Sequence, residues 1–219
     1  MPHQIDPSRY RSIVELFTTA VDEHGNRPAF GNFGCYLSYS ETFSLATSFA
    51  AYLCTECNIK PGDRVAIMLP NILAYPIAML GILMTGASVV NINPQYTSRE
   101  LDHQLQDSGA VAIIILRHLL PNLDAVYADS ALNHVISAEV GDLLTPLKGF
   151  LINRLIRLKG PRIDLENIEN TADFRSCLKL GSRGQLQKVD IGPDDIAFLQ
   201  YTGGTTGMSK GAMLSHGNI

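Results

Sequence analysis

Three absences narrow the field before any motif is read. The 219-residue chain has no dominant basic stripe: 17 Lys and Arg stand against 21 Asp and Glu, a formal charge of −4. That balance argues against nucleic acid as a main partner. The start, Met1-Pro-His-Gln-Ile-Asp6, lacks the charged and then apolar regions of a secretory signal. Only four cysteines occur, unevenly spaced, which fits a reducing compartment better than a disulfide framework. The expected address is cytoplasmic.

Charge is missing altogether between Val65 and Ser98. Ile72–Val90 approaches the roughly 20 apolar residues that span a bilayer. Pro70-Asn71 splits the run, however, and Gly86-Ala-Ser88 breaks it again. Strand, buried helix, strand is the better parse, because parallel strands covered on both faces read as unbroken apolar runs. Cys54-x-x-Cys57 invites a metal or redox reading, yet no second Cys pair or nearby His completes a site. It sits in the helical pattern Thr42, Leu45, Ala46, Phe49, Ala50, Leu53, so packing is the expected role.

The remaining periodicity predicts alternating elements. Ser12 and Glu15 form a capping-box pattern that opens a helix with Ile13, Leu16, Phe17, Ala20 and Val21 on one face. A hairpin is expected around Asn32-Phe-Gly34, then a helix over 41–57, strand 64–69, helix 72–85 and strand 88–92. Thr97 and Glu100 make another capping box for helix 98–107, and Val111–Leu116 reads as a buried strand. Helix 118–128 and strand 133–137 follow. The fold class is α/β, with layered helices on a mainly parallel β-sheet.

Between Asp142 and Asp164 there is no acid, only Lys148, Arg154, Arg157, Lys159 and Arg162. Leu144, Leu147, Leu151, Leu155 and Leu158 mark one helical stripe, widened by Phe150 and Ile156. Residues 143–160 are a candidate membrane-surface helix, since a basic amphipathic helix of this kind can lie on an anionic bilayer through Lys148, Arg154, Arg157 and Lys159. The alternative is a helix packed on its own domain with solvated basic residues.

The most specific stretch is Tyr201-Thr-Gly-Gly-Thr-Thr-Gly-Met-Ser-Lys-Gly211, which follows the apolar run Ile196-Ala-Phe-Leu-Gln200. Glycines let a backbone approach a ligand closely, and successive N–H groups can form an anion-holding nest. Hydroxyls of Thr202, Thr205, Thr206 and Ser209 and the charge of Lys210 add donors. A polyphosphate needs such a loop; an apolar ligand does not. It is not the P-loop of many ATPases, because Lys210 lies three residues after Gly207 and Gly211 stands where a magnesium-binding hydroxyl is required. That makes a phosphotransferase of the P-loop kind a poor reading.

The stretch resembles the phosphate loop of the adenylate-forming (AMP-binding) superfamily, Y-T-S-G-T-T-G-x-P-K-G, with Gly203 for the usual Ser and Ser209 for the usual Pro. Ala212–Asn218 is similar to that family's strand and helix start after the loop. Lys60–Asn71 resembles its P-G-D-R-V strand, Gly86–Pro94 its G-A-x-x-x-x-x-N-P strand, and Ser98-Arg-Glu-Leu101 the helix start that follows. The Gly-Gly variant looks most like bacterial long-chain fatty-acid–CoA ligases.

The resemblance implies a reaction in two halves. A fatty-acid carboxylate attacks the α-phosphorus of ATP, giving acyl-adenylate and diphosphate, and the thiol of coenzyme A then displaces AMP. It implies nucleotide contacts from Tyr201, Thr202, Gly203, Gly204, Thr205, Thr206, Gly207, Met208, Ser209, Lys210 and Gly211, with Lys210 stabilising phosphate charge. Thr205 or Thr206 is the candidate near Mg²⁺. His216 either touches the adenylate or caps and packs. Residues 1–195 would form the first α/β subdomain of the large domain and 196–219 would open the second. The small C-terminal domain would be absent, so the chain is expected to be an N-terminal fragment, inactive alone and able to self-associate through open sheet edges. A relative that adenylates an aryl, short-chain or amino acid remains open, as does a non-enzymatic membrane-binding fragment.

Overall fold

The computed structural model describes residues 9–160, 163–168, 171–202 and 210–219. The start of the chain read for a secretory signal, Arg162 and the loop residues Gly203–Ser209 lie outside them. Helices begin where side chains cap them. Helix α1 (Ile13–His24) starts on Ser12, whose hydroxyl accepts from the Glu15 N–H. A hairpin, β1 (Pro28–Asn32) with β2 (Cys35–Ser38), turns on Phe33 and Gly34, both at positive φ. Helix α2 (Tyr39–Thr55) opens two residues earlier than expected, because Ser38 and Glu41 form a full capping box. Helix α4 (Ser98–Ser108) has the expected capping box at Thr97 and Glu100, and ends on Gly109 in the left-handed region.

Between these lie β3 (Arg64–Met68), α3 (Ala74–Met84) and β4 (Ser88–Asn91). Further on come β5 (Ala112–Leu116), α5 (Leu120–Tyr127), β6 (His134–Ala138) and α6 (Pro146–Lys159). Strand β7 (Ala172–Asp173) and helix α7 (Phe174–Gly181) are elements that the periodicity reading did not anticipate. The chain then forms β8 (Ile196–Thr202) and β9 (Lys210–Ser215).

Among the described residues seven strands make one sheet, in the order β7-β6-β5-β3-β4-β8-β9. All neighbours run parallel except β8 and β9, which are antiparallel. Alternate residues of each strand feed two opposite cores, as a pleat with both faces covered requires. Val65, Ile67, Val89 and Ile114 meet α2, α3 and α7, whereas Ala66, Met68, Val90, Ile113 and Ile115 meet α4 and α5. Ile113, Ile114 and Ile115 are all fully buried, each burial contributing about 2 kcal/mol. Helix α7 lies on α2 through the Phe49 and Phe174 rings, 5.0 Å apart, and through Gly181, where any β-carbon would be driven into the Ser48 carbonyl.

The charge-free run resolves into β3, α3 and β4. Among the described residues no helix is long and apolar enough to cross a membrane. Cys57 is buried and Cys54 half-buried, both as free thiols. Burial pushes the Cys57 thiol up to about 11 and the Cys177 thiol up to about 12, so neither is a nucleophile near neutral pH.

Candidate functional site

The order of the strands creates a crevice. After β3 the chain leaves to α3 on one face of the sheet; after its neighbour β4 it leaves to α4 on the other. Ligands of open α/β sheets bind outside the carboxyl ends of strands at such a point. Strand β8 pairs in parallel with β4, Asn91 opposite Gln200, so Tyr201 and Thr202 arrive at that same carboxyl edge. Strand β9 returns antiparallel, with Thr202 opposite Lys210.

Strands β8 and β9 therefore form an antiparallel stem on either side of the glycine-rich stretch. Gly203, Gly204, Thr205, Thr206, Gly207, Met208 and Ser209 lie outside the described residues; their flanks do not. Thr202 and Lys210 are both exposed and, as cross-strand partners, stand on one face of the sheet. A hydroxyl and an ammonium side by side offer donors to an anion, and the ammonium offers only donors. That donor set fits a polyphosphate. A helix N-terminus is not involved, because the residues after the loop are a strand, unlike the strand–loop–helix of a P-loop.

Beneath this pair a polar ladder crosses three elements. The Tyr75 hydroxyl donates to Asn91 Oδ1 at 3.0 Å, and Asn91 Nδ2 donates to Gln200 Oε1 at 3.1 Å. Burial raises the Tyr75 phenol above its ordinary value, with the Asn91 bond opposing. These three tie α3 and β4 to the strand that launches the loop. Their signal in the sequence is a polar side chain inside an otherwise apolar run.

Tyr201 turns to the other face. It is buried in the α4–α5 core, and its hydroxyl donates to Asp107 Oδ2 at 2.6 Å. Burial, with the Asp107 carboxylate beside it, pushes the phenol upward. Its ring lies over Gly211, its cross-strand partner. Tyr201 and Gly211 thus shape the hairpin stem, with no exposed polar group directed at a ligand.

His216 lies just past the far end of β9, some 20 Å from Lys210 at about 3.3 Å per residue. It is 6% exposed, and its Nδ1 accepts from the Ile13 N–H at 3.2 Å. Burial lowers its basicity, with Asp195 opposing. In this position His216 packs against the start of α1. No group of three or more His, Cys, Asp or Glu side chains that could hold a metal exists among the described residues. The two threonines named as magnesium candidates, Thr205 and Thr206, lie outside them.

The basic segment differs from its sequence reading in two ways. Ile156 and Leu144 do not join the outer stripe: Leu144 is 9% exposed, and Ile156 lines a cavity of about 260 Å³ at the carboxyl ends of β5 and β6. Arg157 is engaged, its Nε and a terminal nitrogen donating to the two Glu139 oxygens at 2.7 and 2.6 Å. That cavity also contains Arg117 and His118. It lies three strands from β8, and its most central ions are spent on each other, so the hairpin mouth is the stronger candidate.

The chain is similar to known proteins over its whole length. The chain is 44% identical over 219 residues to a long-chain-fatty-acid–CoA ligase of Escherichia coli O157:H7, covering all of this chain and 39% of that protein. The corresponding ligase of Bacillus subtilis strain 168 is 35% identical over 221 residues, with the same two shares. The chain thus spans about two fifths of the length of the curated relatives it matches. Among solved structures, the anthranilate CoA ligase AuaEII in complex with anthranoyl-AMP is similar with a TM-score of 0.78 at 18% identity, over 97% of this chain and 37% of that one. At that identity the likeness shows the fold alone. Residues 17–219 match the family described as AMP-binding enzyme, and the chain belongs to that family.

Proposed function

We propose that this chain is the phosphate-holding part of an ATP-dependent long-chain fatty-acid–CoA ligase. The observation that carries the reading is the exposed Thr202–Lys210 pair, which brackets the glycine-rich loop at the carboxyl edge of the sheet. Its substrates follow from the 44% identical relatives, which are long-chain-fatty-acid–CoA ligases. A carboxylate has no leaving group that a thiol can displace, so the acid must first be activated. Fatty acid and ATP give acyl-adenylate and diphosphate; coenzyme A then gives acyl-CoA and AMP.

Lys210 and the hydroxyls of Thr202, Thr205 and Thr206 grip the β- and γ-phosphates together with the N–H groups of Gly203–Gly207. Charge accumulates on diphosphate as it leaves, and fixed donors aimed there lower the barrier. Mg²⁺, held near Thr205 or Thr206, would neutralise the polyphosphate. Residues 1–195 and 196–219 are read as the first subdomain and the opening of the second.

The test is Lys210→Ala in a polypeptide as long as the curated relatives. Its pre-steady-state release of diphosphate should slow on the order of 10²-fold, with acyl binding little changed. An unchanged burst rate overturns the assignment.

A second reading concerns location, and the exposed outer face of α6 favours it. Leu147, Phe150, Leu151, Leu155 and Leu158 are 53–73% exposed beside Lys148, Arg154 and Lys159. We read this face as a peripheral attachment to an anionic membrane surface, from which a long-chain fatty acid could be drawn. The open β9 edge, with Met213 69% exposed, supports self-association as a further reading.

A further inference from the structure

Five of the eleven large apolar side chains exposed among the described residues belong to α6, a helix of 14 residues. At about 100° per residue, Leu147, Phe150, Leu151, Leu155 and Leu158 occupy one arc roughly 140° wide, with the exposed Arg154 inside it between Phe150 and Leu147. The opposite arc is bound to the domain: Gly149 sits against the Gly141 backbone, and Asn153 Oδ1 accepts from the Gly141 N–H at 2.7 Å. The apolar face therefore points away from the body that holds the helix. Lys148 and Lys159 border the arc on one side, Arg157 on the other. Basic residues on both borders of a leucine face match the boundary between acyl chains and headgroups.

A groove of about 880 Å³ runs along the Arg157 side, between α6 and α7. Each of its carboxylates has a hydrogen-bond partner within the chain. Glu139 holds Arg157, Asp142 accepts from the Glu139 N–H, and Asp173 caps α7 by accepting from the Ser176 N–H and hydroxyl. Arg154, Arg175 and Lys179 line the same groove, are exposed, and form no ion pair among the described residues. Phe150 and Leu158 line it as well. Arg154 and Lys179, with Arg175 beside the Asp142 carboxylate, stand next to these two apolar side chains and suit a molecule that is both anionic and aliphatic.

We infer that the α6–α7 groove binds the phosphate of an anionic glycerophospholipid while the outer face of α6 lies among the acyl chains. The inference rests on the membrane reading above and deepens it: the face supplies attachment, and Arg154, Arg175 and Lys179 supply the choice of headgroup. A nucleic acid would use the cations and leave the leucine face in water. A free phosphate would leave it there too.

Flotation of the chain with vesicles of phosphatidylcholine, alone or mixed with phosphatidylglycerol, separates the two levels. Wild-type chain should float with the mixed vesicles far more than with phosphatidylcholine. Arg175→Gln with Lys179→Gln should cut binding to mixed vesicles about thirtyfold, at the usual worth of a basic residue near such a surface, and leave the weak binding to phosphatidylcholine unchanged. Leu151→Gln with Leu158→Gln should reduce binding to both. All four positions are exposed, and circular dichroism should show the fold retained. If the Arg175/Lys179 variant keeps its preference for phosphatidylglycerol, the groove assignment is wrong while attachment stands. If wild-type chain does not float, attachment itself is wrong. If the chain floats and a polypeptide of the relatives' full length does not, another part of that polypeptide covers α6, and both fall.

Discussion

The ring of Tyr201 lies over Gly211, so close that a β-carbon on Gly211 would come within 2.9 Å of its Cζ. The ring cannot simply swing aside, because its hydroxyl is bound to Asp107 and its body is buried against α4. The glycine that ends the motif is thus explained by packing under a neighbour's ring as much as by any ligand.

Gly211→Ala should destabilise the chain by about 2 kcal/mol, the usual cost of overpacking a fitted site, or roughly 5 °C in melting temperature for a protein of this size. A thermal melt decides it. An unchanged midpoint would mean that the Tyr201 ring has room to move, and the stem would then be less rigid than the Asp107 bond implies.

Asp142 should make the protein less stable as pH rises. Burial pushes its carboxyl up to about 6, with Asp173 and Glu139 adding and the Glu139 N–H and Arg175 opposing. A carboxyl that holds its proton more tightly when folded favours folding at low pH, and that advantage is lost between about pH 4 and pH 6. Asp142→Asn keeps an acceptor for the Glu139 N–H and removes the charge. In urea titrations it should be more stable than wild type by about 1–2 kcal/mol near pH 7.5, after screening by Arg175 and solvent. Near pH 4 the two should coincide. A constant difference across this range would count against a titrating Asp142.

His216 works with the opposite sign. Its Nδ1 must be unprotonated to accept from Ile13, and burial holds its basicity below the ordinary value. The stability it lends is present above about pH 6.5 and drains away as pH falls. His216→Asn, which keeps an acceptor close to the Nδ1 position, should flatten this acid slope. It should leave ATP affinity of the chain unchanged, measured by isothermal titration. A marked loss of ATP binding would return His216 to the nucleotide site despite its distance.

The cap at Ser12, the capping box at Thr97 and the run Val111–Leu116 announced their elements, because those signals are local; at Ser12 the box is half made, since the Glu15 carboxylate accepts from the Arg11 N–H. Ser38 and Glu41 form an equally good box, hidden because the residues before it read as a strand. Helix α7 carried its signal too, with Asp173 as cap and Phe174, Cys177, Leu178 and Gly181 on one face. It lies in a polar stretch where short elements give little periodicity.

The donors of the loop, the resemblance they carry and the basic leucine-rich segment were all plain in the residue order, since each depends on side chains a few positions apart. Which way those side chains face was settled by partners distant along the chain. Asp107 and α4 took Tyr201 into the core, Ile13 holds His216 at the start of α1, and Glu139 pairs with Arg157, which stays exposed. The physical reason is that a hydrogen bond or a buried ring is decided by the space a neighbour leaves, and for these residues that neighbour comes from elsewhere in the fold.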